Sequence, residues 1–166
     1  MYTRIFNNIL QALFIICVPL LLITTNVRIV LNSGTMYDYG FNKYKIEKYT
    51  GIEFEQLQAA GHQIRDYFNN DLERITINIS LHGENVPNLF NEREILHMYD
   101  VKNLVKMVYM VQLYSAILLS LGCVFMLFKS FTNGRILTLK YIGRGGVFTF
   151  SLVIAVSILA IIGFDR

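Results

Sequence analysis

The segment from Phe90 to Lys102 carries the side chains that are best suited to acid–base chemistry. Glu94, His97 and Asp100 follow one another at intervals of three, so a helix would place them on one face. A carboxylate beside an imidazole fixes its tautomer and stabilises its protonated form, as a general base requires. Arg93 lies one turn before His97 on such a helix. The spacing therefore indicates His97 as a candidate general base.

The same residues allow two other interpretations. The first is a solvated, charged helix face at the edge of a bilayer, with Lys102 and Lys106 extending their ammonium groups towards water. The second is a metal site formed by Glu94, His97 and Asp100, although two carboxylates and one imidazole make a poor ligand set. The spacing alone leaves all three interpretations open.

Composition indicates an integral membrane protein. Of the 166 residues, 54% are hydrophobic and only 16% are charged, which is more apolar than a typical soluble domain. Three segments contain no charged residue: 5–27, 107–128 and 145–164. Each is long enough to cross the roughly 30 Å hydrocarbon core as a helix. We therefore expect three transmembrane helices, with the first retained rather than cleaved as a signal peptide.

The basic residues predict the orientation of these helices. Four of them, and no acidic residue, lie between the second and third spans: Lys129, Arg135, Lys140 and Arg144. Short loops rich in Lys and Arg face the cytoplasm. We therefore expect a cytoplasmic N-terminus, a cytoplasmic basic loop over 129–144 and an extracytoplasmic domain over 32–106. Since topology accounts for the net charge of +3, nucleic-acid binding is not indicated.

The segment 32–106 is expected to fold as a small α+β domain. Residues 37–41 form an aromatic cluster suited to a membrane–water interface. Apolar residues at helical spacing predict a helix over 53–69. Alternating isoleucines over 75–79 predict a short half-buried strand, followed by a turn at 82–85.

Of the three histidines, His97 is the one that the sequence places for chemistry. The segment 90–106 contains no Gly or Pro, so we expect a helix that continues into the second span. This would put His97 about two turns above the hydrocarbon. His62 falls on the polar side of the helix over 53–69, and His82 falls in the predicted turn. Both are expected to face solvent without a functional role.

One long motif resembles a known bacterial membrane family. The motif runs Glu92-Arg93-Glu94, His97-Met98 and Asp100-Val101-Lys102, and it stands between an outward domain and a membrane span. Over essentially its whole length the chain resembles the family of the lipoprotein intramolecular transacylase, Lit. Arg28 after the first span and Tyr37 with the aromatics that follow are also similar to that family.

The resemblance implies a helical membrane bundle with acyltransferase activity. Lit-type enzymes move the sn-2 acyl chain of a diacylglyceryl lipoprotein to the α-amino group of its N-terminal cysteine, which gives the lyso form. It implies that His97 is the catalytic residue and that no metal or diffusible cofactor is needed. The partners would be membrane phospholipid and diacylglyceryl lipoproteins, in the bacterial cytoplasmic membrane. We expect substrate-positioning or oxyanion roles for five further residues: Arg28, Arg93, Glu94, Asp100 and Lys102.

Two features of that family have no counterpart in the sequence, namely a fourth span and a second functional histidine between spans three and four. We therefore expect a C-terminally truncated chain that is inactive in this form, and the alternative is a shortened relative with altered or no activity. Two other functions stay open. One is a non-catalytic membrane subunit that binds lipid or a partner protein and tolerates loss of His97. The other is a metal-dependent membrane hydrolase that uses Glu94, His97 and Asp100. The sequence does not specify the oligomeric state.

Overall fold

The computed structural model describes residues 2–81, 84–86, 88–129 and 131–164. These residues are mainly helical, and the elements follow in this order: α1 (Tyr2–Asn32), α2 (Gly34–Lys43), α3 (Ile46–Thr50), α4 (Phe54–Phe68), β1 (Ile79–Leu81), β2 (Glu84–Val86), α5 (Glu92–Lys129) and α6 (Phe131–Phe164). The contacts divide the chain into two compact units. We call residues 27–109 the central unit, and residues 1–26 with 110–166 the helical unit.

Within the described residues, three helices are long and apolar enough to cross a membrane. The candidate spans are Ile5–Asn32, Glu92–Phe128 and Asn133–Gly163. The three predicted spanning helices are therefore confirmed in length and composition. Helix α5 is unbroken from Glu92 to Lys129, so the helix that carries His97 does continue into the second apolar segment.

Two expectations about local conformation were wrong. The strands in the described part of the central unit are the three-residue β1 and β2, which pair antiparallel with Leu81 opposite Glu84, and the remainder is helical or irregular. An α+β domain is therefore not supported. The segment 129–144 is not a short loop either, because α6 begins at Phe131 and contains no proline that would interrupt it. Of the predicted turn at 82–85, His82 and Gly83 lie outside the described residues, and Glu84 and Asn85 belong to β2.

The extended chain before β1 pairs with side chains of α4 rather than with a strand. The side-chain oxygen of Gln63 accepts a hydrogen bond from the N–H of Asn78, and its amide nitrogen donates one to the Asn78 carbonyl, both at 3.0 Å. Gln56 accepts a bond from the N–H of Ser80, also at 3.0 Å. These glutamines satisfy backbone groups that a neighbouring strand would otherwise satisfy. The predicted strand over 75–79 is therefore mostly irregular.

The core of the central unit joins α4 to α5. Its buried side chains include Leu57, Ala60, Tyr67, Phe68, Ile75, Ile77, Ile79, Ile95 and Val105. The predicted apolar face of the helix over 53–69 is thus buried, and His62 on its other side is exposed. The alternation of isoleucines is confirmed as a burial pattern, because Thr76 and Asn78 between them are exposed.

The loop after α4 fastens this core to α1 and α5 through three consecutive polar side chains. The Asn69 amide nitrogen donates to Asn32 Oδ1 of α1 at 2.8 Å. Asn70 Oδ1 accepts a bond from Lys102 Nζ of α5 at 2.8 Å, and Asp71 pairs with Lys106 at 3.1 Å. Within the central unit, each of these three side chains therefore contacts a different point on α1 or α5.

Lys102 is the buried member of these contacts, with only 2% of its surface exposed. Its ammonium group donates to Asn70 and, at 2.6 Å, to the carbonyl of Leu72, and it lies 4.0 Å from the centroid of the Tyr67 ring. Hydrogen bonds and an aromatic face replace the water that a buried cation loses. Burial raises the pKa of Tyr67, so its hydroxyl stays protonated and donates to the carbonyl of Glu73 at 2.9 Å.

Glycines set the closest approaches between helices of the helical unit. A Cβ on Gly145 of α6 would lie 2.7 Å from Cβ of Val18 in α1. One on Gly122 of α5 would lie 2.8 Å from Cε2 of Phe14, which is fully buried. Since lipid is as apolar as leucine, such close backbone packing is what draws membrane helices together.

Replacing Gly145 should therefore weaken the helical unit. Gly145→Ala places a methyl group against Val18 and should lower the melting temperature of the detergent-solubilised protein. Gly143→Ala is the matched control, because nothing lies within 4 Å of the added methyl. Alanine favours a helix over glycine by about 1 kcal/mol, so the control should melt at the same temperature or higher. Equal melting of the two variants would contradict the assigned helix contact.

Removing the Lys102 ammonium should destabilise the central unit. Lys102→Met keeps most of the aliphatic stem but leaves Asn70 Oδ1 and the Leu72 carbonyl without their donor. An unsatisfied buried acceptor costs about 1–3 kcal/mol. The control is Lys106→Met, whose partner Asp71 is fully exposed, and it should change stability little. Denaturant unfolding monitored by tyrosine fluorescence measures both. A larger effect at Lys106 than at Lys102 would refute this account.

Candidate functional site

Helix α5 presents His97 on the face that points away from the core of the central unit. Ile95, Lys102 and Val105 are buried on one side of the helix, whereas Arg93, His97 and Asp100 are exposed. The last three recur at intervals of four and three, so they form a single polar stripe. The predicted shared face of His97 and Asp100 is present in the structure.

The same face becomes apolar further along the helix. Leu104 and Met107 continue the stripe at intervals of four and three from Asp100, and they are 59% and 62% exposed. Within the central unit, α5 thus offers a charged group, an imidazole, a carboxylate and then two apolar side chains in a row. The exposed stripe therefore changes from polar to apolar along the helix.

Glu94 has a different role from the one its spacing suggested. Its Oε2 accepts a hydrogen bond from the N–H of Asn91 at 2.9 Å, and Asn91 Oδ1 accepts one from the N–H of Glu94 at 3.0 Å. This reciprocal capping box determines where α5 begins. The expected pairing of Glu94 with the imidazole is not made, because the carboxylate is used to cap the helix. Glu94 therefore positions the helix turn that carries Arg93 and precedes His97.

His97 and Arg93 line a common depression on the protein surface. Its other lining residues are Asn91 and Glu94, and it encloses about 470 Å³ in an open shape. Among the residues that the structure describes, the exposed His97 side chain makes no hydrogen bond, so its ring is accessible at the depression that it lines. The arrangement can exchange a proton at His97 and stabilise a negative charge with the guanidinium of Arg93.

Two other predicted site residues lie in different surroundings. The ammonium of Lys102 is buried under the loop after α4 and faces Asn70 and Leu72. The guanidinium of Arg28 lies 4.6 Å from the centroid of the Tyr109 ring. Neither side chain lines the depression beside His97.

A polar network around Arg28 was not anticipated from the sequence. The Tyr109 hydroxyl accepts a hydrogen bond from Asn32 Nδ2 at 2.7 Å, and the same amide donates to the carbonyl of Arg28 at 2.8 Å. Asn69 binds the other end of the Asn32 side chain. In the sequence, Asn32, Asn69 and Tyr109 are far apart, and nothing in their spacing identifies Asn32 and Tyr109, 77 residues apart, as partners.

The structure does not favour the metal-site interpretation. Over residues 2–81, 84–86, 88–129 and 131–164, no group of three or more His, Cys, Asp or Glu side chains could hold a metal ion. Glu94, His97 and Asp100 therefore do not converge, although they follow one another on the helix. The capping role of Glu94 is the physical reason, because it draws the carboxylate towards the N-terminus of α5.

Comparison with known proteins identifies the family. A family model described as lipoprotein intramolecular transacylase Lit matches residues 12–166. Neither the curated proteins nor the solved structures gave a match. The family match includes all of α5 with its His97 motif and most of α1. Since it covers nearly the whole chain, the protein belongs to the lipoprotein intramolecular transacylase (Lit) family.

Proposed function

We propose that this protein is a membrane acyltransferase with a diacylglyceryl lipoprotein as its substrate. It moves the sn-2 acyl chain to the α-amino group of the lipoprotein's N-terminal cysteine. The observation that carries the proposal is the solvent-facing imidazole of His97, which shares a depression with Arg93 on a helix that continues into an apolar segment. Membership of the Lit family supports the class of reaction.

In the proposed reaction, His97 accepts a proton from the α-amino nitrogen as that nitrogen attacks the sn-2 ester carbonyl. The ester C–O bond then breaks and the imidazolium returns the proton to the glyceryl oxygen. An ester and an amine become an amide and a hydroxyl, so no atom is gained or lost. Imidazole suits both steps because it exchanges protons readily near neutral pH. Because donor and acceptor belong to one molecule, positioning supplies much of the rate.

Arg93 is the best candidate for stabilising the oxyanion, because its permanent charge lines the same depression as His97. Asp100 lies one turn beyond His97 on the exposed face and would stabilise the imidazolium electrostatically. We do not assign an oxyanion role to Lys102, whose ammonium is buried and bonded to Asn70 and Leu72. For Arg28 we keep a role in positioning the substrate.

The chemistry requires the central unit to face the outer surface of the bacterial cytoplasmic membrane, where lipoproteins mature. We therefore propose a cytoplasmic N-terminus, spans over 5–27, 107–128 and 145–164, and a cytoplasmic basic segment over 129–144. The absence of acidic residues in that segment supports this orientation. Phospholipid and lipoproteins would then reach the exposed stripe of α5 at the depth of their ester groups.

Substitution of His97 should abolish acyl transfer. A positioned acid–base group contributes on the order of 10²–10⁴ in rate. We expect His97→Ala, expressed from the native locus, to leave lipoproteins in the diacylglyceryl form while the protein stays in the membrane. Mass spectrometry of lipoprotein N-termini measures the conversion. His62→Ala is the control, because His62 is exposed and contacts Arg65 away from the depression. Normal lyso-lipoprotein in the His97 variant would overturn the assignment.

Cysteine labelling tests the orientation. A cysteine at the exposed position Asn91 should react with a membrane-impermeant maleimide added to intact cells. A cysteine at Asn133, which is also exposed, should react only after the membrane is permeabilised. The native cysteines Cys17 and Cys123 are replaced by serine to remove background labelling. External labelling at Asn133 would place His97 in the cytoplasm, where lipoprotein maturation does not occur.

A further inference from the structure

Helices α2 and α3 expose lysines and tyrosines that the proposed reaction does not use. We call this surface the α2–α3 patch; its members are Tyr39, Lys43, Tyr44, Lys45, Lys48 and Tyr49. The three tyrosines are 58%, 64% and 83% exposed, and the lysines are exposed as well. Between residues 39 and 50 the only acidic residue is Glu47. The patch is therefore both basic and aromatic.

Of the aromatic cluster over 37–41 that the sequence suggested for a membrane interface, only Tyr39 belongs to the patch. Tyr37 and Phe41 are only partly exposed, because they pack beside Gly61 of α4. Tyr39 and Tyr44 face outwards, with the ammonium of Lys43 at 5.4 Å and 5.7 Å from their ring centroids. Amphipathic rings beside a flexible cation are the combination that membrane–water interfaces favour.

Lys45 and Lys48 converge on one small depression. Asn42, Glu47, Phe41 and Phe54 complete its lining, and it encloses about 280 Å³. Two ammonium groups outweigh the single carboxylate of Glu47, and the Asn42 amide adds a neutral donor. A depression of this charge and size suits a phosphodiester group.

The backbone at Lys45 supplies a separate observation. Lys45 has φ 51° and ψ 44°, in the left-handed region that glycine or asparagine adopts more readily. It forms the turn between α2 and α3, where a glycine would fit without strain. Strain of this kind is typical of positions where a side chain has a function. Here the strained turn presents a lysine at its apex.

The chain also keeps the patch near the membrane. Helix α2 begins at Gly34, and only Ser33 separates it from the end of the spanning helix α1. The ten residues of α2 extend about 15 Å. With two extended residue steps at each end of α2, Lys45 lies within about 30 Å of Asn32, whatever direction α2 takes.

We propose that the α2–α3 patch docks on the headgroups of anionic phospholipids. Lys45 and Lys48 bind a phosphodiester in their depression, while Lys43 and the exposed tyrosines lie along the interface. Anionic lipid is the occupant that the observations favour, because the patch combines excess positive charge with interfacial aromatics close to a spanning helix. This docking is separate from acyl transfer and does not depend on His97.

Hydrogen exchange of the full chain in lipid nanodiscs tests the proposal. We compare nanodiscs of phosphatidylcholine with nanodiscs that also contain phosphatidylglycerol. Amides of residues 36–50 should exchange several-fold more slowly in the anionic lipid, and high salt should remove the difference because it screens the charges. Equal exchange in the two lipids would overturn the proposal. Equal slowing by inorganic phosphate in phosphatidylcholine would also overturn it, because the patch would then bind free anions.

Matched variants distinguish the effect of the charges in the patch from an effect on folding. Lys45→Gln with Lys48→Gln should abolish the lipid dependence, whereas Arg74→Gln with Lys106→Gln, which lowers the net charge equally outside the patch, should retain it. Lys45→Gly relieves the backbone strain, so it should weaken the lipid dependence while the melting temperature is kept or raised. A lipid effect that survives the Lys45/Lys48 pair would refute the assignment, as would its loss in the control pair.

Discussion

The buried ammonium of Lys102 holds the central unit together. A cation inside a protein is stable only where other groups replace its water, and here the Asn70 side chain, the Leu72 carbonyl and the Tyr67 ring do so. These partners belong to α4 and the loop that follows it. The rotation of α5 about its axis is thereby set, since turning the helix would remove the lysine from all three. The neighbouring contacts also hold helices against this loop, since Asn69 binds Asn32 of α1 and Asp71 pairs with Lys106 of α5.

The exposure of His97 follows from this constraint. Once Lys102, Ile95 and Val105 face the core, helical geometry leaves Arg93, His97 and Asp100 on the opposite side. The capping box of Asn91 and Glu94 then fixes the first turn of the helix, so Arg93 and His97 line one depression. The other charged residues of the motif have different surroundings: Glu94 caps the helix, Lys102 is buried under the loop after α4, Glu92 pairs with Arg74, and Asp100 is exposed.

The reaction proposed above rearranges a single bound molecule. Such a reaction needs one group to carry a proton, a positive charge for the oxyanion and a rigid support. The support for this part of α5 is the packed core of the central unit, which includes its buried Ile95 and Val105. In the helical unit, Gly145 and Gly122 let α6 and α5 pack closely on Val18 and Phe14 of α1. This packing needs no polar partner.

The sequence by itself determined the three apolar helices, the continuity of α5 and the burial of the alternating isoleucines. These depend on length, composition and periodicity, which a linear chain displays directly. The tertiary structure alone decided which charged side chains are held by neighbouring groups and which stay exposed. Spacing placed Glu94 beside His97, and Lys102 was expected to serve the oxyanion. Their partners are instead a backbone N–H at the helix end and a loop about 30 residues earlier. Gln63 likewise replaced a strand as the partner of Asn78. Such pairings are set by long-range packing, because each polar group bonds to whatever donor or acceptor the folded core brings within reach.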